Sequence, residues 1–251
     1  MNRKTELLMT IALLASVIFL SKEGALFVQN HLLKESDNEP PLSTMEDTST
    51  TESPELSAFC IVIDAGHGGT DPGKVGVNNI LEKDINLAIA LQLAEKLQSG
   101  GISTVLTRDS DIDLSNGAAN FKSADMQNRC KIITDANPIF TISIHQNSYP
   151  SENVTGAQVF YFTHSAEGKE LATTLQDSLI ANVDPNNRRQ PKANDSYYLL
   201  KKTPTPTVIV ECGFLSSPSE ATLLCTPEYQ EKMVHAIYLG ILAHLEAKDY
   251  L

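Results

Sequence analysis

Three short apolar runs, each stopped by a polar residue, most constrain what this chain can fold into. Phe59 to Ile63 (FCIVI) runs into Asp64-Ala65-Gly66-His67-Gly68-Gly69. Ile139 to Ile144 (IFTISI) stops at His145, and Thr207 to Val210 (TVIV) stops at Glu211. Runs this short that are apolar at both alternating positions predict strands covered on both faces, as in a mostly parallel sheet. Ile102 to Leu106 and Ala157 to Phe162 read as further strands. Between them lie helical patterns. Asp84 to Gln98 places Ile85, Ile89, Leu93 and Leu97 on one face, with Gly100-Gly101 as the stop. Ala124 to Ala136 and Ala166 to Asn182 read as helices, Ser217-Pro218-Ser219-Glu220 has the form of a capping box, and Thr226-Pro227 opens a last helix to about Ala247. Strands alternating with helices predict an α/β fold whose mostly parallel sheet carries helices on both faces.

The first 57 residues differ from this pattern. Arg3 and Lys4 precede an uncharged run from Leu7 to Ser21, which Lys22 closes. A basic start followed by such a run fits an export signal, and it is shorter than the roughly 20 residues that span a bilayer comfortably. Residues 1–24 are therefore expected to be a signal peptide or signal anchor, with the anchor favoured because no small-residue cleavage site follows the run. Residues 25–57 are expected to be a linker. Its part from residue 35 holds seven acidic residues, nine Ser or Thr, three Pro and no basic residue, too little apolar surface to offset the entropy of ordering. Residues 58–251 are left as the folded domain. The formal charge of −12 argues against nucleic acid as a partner, because phosphate neutralisation needs clustered Lys and Arg. Four cysteines are too few for a disulfide scaffold, although one bond can form outside the cytoplasm.

His67, His145 and Glu211 all fall at strand ends, where sites gather in open α/β sheets. Glu82, in Leu81-Glu82-Lys83-Asp84, falls at the start of the first helix. Two His and two Glu at element ends can build a catalytic zinc site: three N or O ligands, and a fourth residue free to move protons. Spacing does not say which glutamate is ligand and which is base. Glycines around His67 let backbone and metal approach closely. Asp64 could hold the second ring nitrogen of His67 or shape its turn. The plain alternative is a histidine in a Gly-rich turn and a packed strand-end histidine.

The blocks Ile63-Asp64-Ala65-Gly66-His67-Gly68-Gly69, Leu81-Glu82-Lys83-Asp84, Ser143-Ile144-His145-Gln146-Asn147 and Val210-Glu211-Cys212-Gly213-Phe214-Leu215-Ser216 resemble the signature blocks of the zinc-dependent N-acetylmuramoyl-L-alanine amidases of the amidase-3 type, in the same order. Gly156 to Tyr161 and Phe214 to Ala221 look most like the germination-specific subgroup of spore formers. The resemblance implies an amidase-3-like α/β fold and one Zn2+ per chain, bound by His67, Glu82 and His145, with Glu211 as the catalytic carboxylate. It implies hydrolysis of the amide between N-acetylmuramic acid and L-alanine in peptidoglycan, with spore cortex as the expected substrate. The enzyme would act outside the cytoplasm, secreted or membrane-tethered, in a sporulating cell between the forespore membranes. An activating or delivery protein is a further expectation, because an acidic surface does not favour direct capture by anionic wall polymers.

Asn147 could contact substrate or cap its own loop. Arg129 could pair with a peptide carboxylate, but a structural ion pair is the stronger expectation. The polar stretch from Asp109 to Ser123 is long enough to flank a cleft. Other readings are a zinc peptidase or carboxypeptidase, a non-catalytic wall-binding module, and a Cys212 nucleophile with His145 as its base.

Overall fold

The three apolar runs become neighbouring strands in one six-stranded sheet. A computed structural model of the chain describes residues 58–251. The expected export segment (1–24) and linker (25–57) lie outside the described residues. The strands are β1 (Cys60–Ala65), β2 (Ser103–Leu106), β3 (Phe140–Asn147), β4 (Gln158–Phe162), β5 (Lys192–Asn194) and β6 (Thr207–Phe214), in the order β2-β1-β3-β6-β4-β5. β1 runs parallel to β2 and β3, and β3 runs parallel to β6. β4 is parallel to β5 but antiparallel to β6, so the sheet is mixed and mostly parallel, as expected.

The helices are α1 (Glu82–Ser99), α2 (Phe121–Ala136), α3 (Ala166–Asn182), α4 (Tyr198–Lys202), α5 (Pro218–Leu224) and α6 (Pro227–Ala247). Strand alternation divides them between two faces. Ile61, Ile63, Ile142, Ile144, Val208 and Val210 join the core built with α1, α3 and α6. Val62 joins Ile133 of α2 and Leu199 of α4, and Ile209 joins Leu200 of α4. Ile85, Ile89, Leu93 and Leu97 of α1 are all buried, as their spacing requires. Each such side chain contributes roughly 1.5–3 kcal/mol of burial, which is what docks α1 and fixes where its N-terminus lies.

β5 and α4 are absent from the sequence reading. β5 is a polar tripeptide and α4 a single turn and a half, so neither carries enough periodicity to be read. The capping box at Ser217 also does not form: its side chain accepts no helix N–H. Glu220 instead accepts from the backbone N–H groups of Gly156 and Phe214, tying the end of β6 to the start of β4. The four cysteines are all free thiols, so the expected option of one disulfide is not taken up.

α6 crosses α3 at Gly240, where a Cβ would meet the Leu175 Cδ2 at 3.0 Å and the Ser178 Cβ at 3.2 Å. Gly240→Val should lower stability by about 1–3 kcal/mol through overpacking, measured by chemical denaturation.

Candidate metal centre

Sheet alternation sets the site's layout. Glu211 and His145 are cross-strand partners in the β3–β6 ladder, which puts their side chains next to each other on the face that carries α2 and α4. His67 follows β1, and Glu82 is the first residue of α1. Where these ends meet, the Nε2 of His67 lies 3.2 Å from one Glu82 oxygen and the Nδ1 of His145 lies 2.9 Å from the other. One ligand atom from each of His67, Glu82 and His145 falls within 4.8 Å of the others, and the two imidazoles meet edge to face at 4.9 Å.

The local chain explains this convergence. His67 has a φ of +61°, in the left-handed region, which costs an L-residue roughly 1–2 kcal/mol. The strained turn is clamped from beneath by two buried arginines. Arg108 donates to the carbonyls of Ala65 and Gly66, and Arg129 donates to those of Ala65 and His67. Gly66 is needed for a different reason: a Cβ there would fall 2.3 Å from the His145 Nε2. The His145 ring therefore lies against bare backbone and turns its Nδ1 toward Glu82.

The second nitrogen of His67 is held by Asp71, whose carboxylate lies 2.8 Å from Nδ1. Asp64, which the sequence offered for this job or for shaping the turn, takes the second role. Its position in β1 points it at α2, where it accepts from Arg129, Thr107 and Ser143. Asp71 was not singled out in the sequence. The available signal was its i, i+4 spacing from His67 within a Gly-rich turn, which the backbone closes by pairing Gly68 with Asp71.

Charge in the site follows from burial and pairing. Burial pushes the Glu82 carboxyl up, but its hydrogen bonds and charge contacts with His145 and His67 outweigh that and hold it well below the usual range. Burial likewise pushes His67 down, and Glu82 and Asp71 reverse this, raising it to about 9. Glu211 behaves oppositely. It is 7 % exposed, and its Oε2 has no hydrogen-bond partner among the described residues. Burial pushes its pKa up to about 7. The centre thus holds one firmly ionised carboxylate between two imidazoles, and beside it a carboxylate poised to gain or lose a proton near neutrality. Two nitrogens and a carboxylate oxygen are the donor set of a catalytic zinc site, so these residues fit a divalent metal.

These residues line a cleft of about 510 Å³, with Lys74, Lys122, Tyr197 and Asn147 also on its wall. Asp113 and Phe121 line it too, so the stretch from Asp109 to Ser123 does flank the cleft. The Asn147 side-chain oxygen accepts from the Ser148 N–H, so that end of the amide caps its own loop. Arg129 is 2 % exposed and saturated by Asp64, Asp125 and two carbonyls. It is the structural ion pair rather than a contact for a peptide carboxylate. Cys212 is fully buried, and burial pushes its thiol far above the ordinary range, which removes it as a nucleophile.

The Amidase_3 family, described as N-acetylmuramoyl-L-alanine amidase, matches residues 61–243. The chain belongs to this amidase family. It is 41 % identical over 197 residues to the germination-specific N-acetylmuramoyl-L-alanine amidase of Bacillus subtilis, covering 77 % of this chain and 82 % of that one. Among solved structures, the CwlD amidase of Clostridioides difficile, in complex with the GerS lipoprotein, superposes with a TM-score of 0.73 at 40 % identity. That match covers 75 % of this chain and 99 % of that one. An N-acetylmuramoyl-L-alanine amidase from Clostridium difficile 630 superposes at 0.68 with 30 % identity, covering 76 % and 99 %. The chain is accordingly an N-acetylmuramoyl-L-alanine amidase with the α/β fold of its relatives, acting on peptidoglycan and so outside the cytoplasm.

Arg129→Met strands the buried Asp64 and should cost about 3–5 kcal/mol of stability, read by denaturant unfolding. A substrate contact at Arg129 would instead raise KM with stability intact. For Glu211, the folded pKa of about 7 lies above its ordinary 4.5. Its contribution to stability is therefore whole below 4.5 and lost as pH rises through about 7. The metal-free Glu211→Gln variant should gain in melting temperature over the metal-free wild type between pH 5 and pH 8, by calorimetry. A difference that does not grow with pH would show that Glu211 is not held protonated.

Proposed function

We propose that this amidase cleaves the muramoyl–L-alanine bond in spore cortex peptidoglycan, with zinc held by His67, Glu82 and His145 and with Glu211 as its catalytic acid and base. The observation that carries this reading is the convergence of His67, Glu82 and His145, one possible ligand atom of each lying within 4.8 Å of the others. The cortex assignment draws support from the germination-specific relative.

Zinc in that position supplies Lewis acidity, polarising the amide carbonyl and acidifying water beside it. The rest is done by the chain. Asp71 accepts from the Nδ1 of His67 and so leaves Nε2 as the nitrogen that would give up its proton to a metal. Gly66, by lacking a Cβ, leaves the room that the His145 ring occupies. Glu211 takes the proton of the attacking water and releases it to the departing L-alanine nitrogen, and burial, which favours its protonated form, suits it to that second transfer. A carboxylate at its ordinary pKa would be the poorer acid in the second step.

This reading extends to the tether. Residues 1–24 would hold or deliver the domain at a membrane, and residues 25–57 would give it reach. No helix among the described residues is long and apolar enough to cross a membrane. A protein partner that activates or delivers the enzyme also fits, since the Clostridioides difficile relative is found with a lipoprotein.

The test is zinc content together with product analysis on purified cortex peptidoglycan. Near one zinc per chain and new L-alanine amino termini are expected. Glu211→Gln should keep the metal and lose about 10²–10⁴-fold in turnover. His67→Ala and His145→Ala should lose the metal. Free amino acids released in place of L-alanine termini would mean a carboxypeptidase, and full metal occupancy in both histidine variants would overturn the ligand assignment.

A further inference from the structure

The apolar face of α1 is interrupted by one polar side chain. Asn86 lies between Ile85 and Ile89, one turn after Glu82, and is 0 % exposed. Burying an amide in a core costs free energy unless its hydrogen bonds are made, so its partners indicate why it is there. Its Nδ2 donates to the Gly66 carbonyl at 3.1 Å and reaches Glu82 Oε1 at 3.4 Å. Its Oδ1 accepts from the Gln146 Nε2 at 3.2 Å. Gln146 in turn donates its backbone N–H to the same Glu82 oxygen at 3.0 Å. Strand alternation places Gln146 on the α1 face, behind His145. One buried amide therefore touches the backbone beside His67, the carboxylate of Glu82 and the residue after His145.

The arrangement matters most once metal is present. In the metal-free site Glu82 faces the Nδ1 of His145 and the Nε2 of His67. Both nitrogens must give up their protons to bind a cation, so neither then donates to the carboxylate. The donors left on Glu82 are the Lys74 and Gln146 backbone N–H groups and the Asn86 amide. Asn86 is the only side chain of the three. We infer that Asn86 is a positioning residue for the metal centre: it holds Glu82 and the Gly66–His67 backbone in ligating geometry from beneath. The inference rests on the assignment of His67, Glu82 and His145 as metal ligands.

The experiment measures zinc affinity of the full purified chain by competition with a chelator, for wild type, Asn86→Leu and Asn86→Ala. Melting of the metal-free protein is followed alongside. Leucine shares asparagine's branching and number of heavy atoms and suits the apolar face, so Asn86→Leu should still fold cooperatively without metal. Both variants should bind zinc about 10–100-fold more weakly, with faster release. A purely structural amide would change the metal-free melting and leave zinc affinity alone. Variants that fold and bind zinc within twofold of wild type overturn this inference alone, as do variants that both fail to fold. A wild-type chain that takes up no zinc overturns the ligand assignment, and this inference with it.

Discussion

The carboxylate of Glu82 is the point on which the rest of the structure turns. It is 3 % exposed, yet it is ionised, because donors from two other segments of the chain converge on it. The Lys74 N–H comes from the loop after β1, the Gln146 N–H from β3, and the two imidazoles from either side. An unpartnered carboxylate in that position would be too costly to keep charged. The packing of α1 fixes where the carboxylate lies, and the carboxylate fixes where the two histidines can point. Core and site are thus one construction, in which the Ile85-Ile89-Leu93-Leu97 stripe sets the position of an atom at the candidate metal centre.

A second constraint comes from the sheet. His145 and Glu211 stand opposite each other in a parallel ladder, so their separation is set by strand spacing rather than by loop conformation. This holds a carboxylate with a raised pKa beside one whose pKa is strongly lowered. The difference is environmental: Glu82 collects N–H donors, and the Glu211 Oε2 has none among the described residues. Two glutamates in one cleft are thereby set apart, one held as a fixed anion and one able to exchange a proton near neutrality, which suits the roles proposed for them.

Much of this was legible in the sequence, for reasons that also explain what was not. The apolar runs at 59–63, 139–144 and 207–210 and the stripe on α1 gave the layers, because burial writes its periodicity directly into residue order. His67, Glu82, His145 and Glu211 stood out as polar residues at element ends. Their grouping is geometric, and the division of roles between the two glutamates came from family resemblance rather than spacing. Asp71 and Asn86 were not read. Asp71 acts through a local turn that only the left-handed backbone at His67 closes. Asn86 sits in a helical stripe that is apolar from Ile85 onward, and a single polar residue there looks like a lapse in pattern until its partners are known. Glu220 looked like half of a capping box and serves a strand end instead, accepting from the backbone N–H groups of Phe214 and Gly156.

The most direct test of the account is a crystal structure of the zinc-loaded protein with anomalous data collected on both sides of the zinc edge. The account predicts one strong peak about 2.0–2.2 Å from His67 Nε2, His145 Nδ1 and a Glu82 oxygen. A peak on the Nε2 of His145, or zinc bound elsewhere with this centre empty, would contradict it.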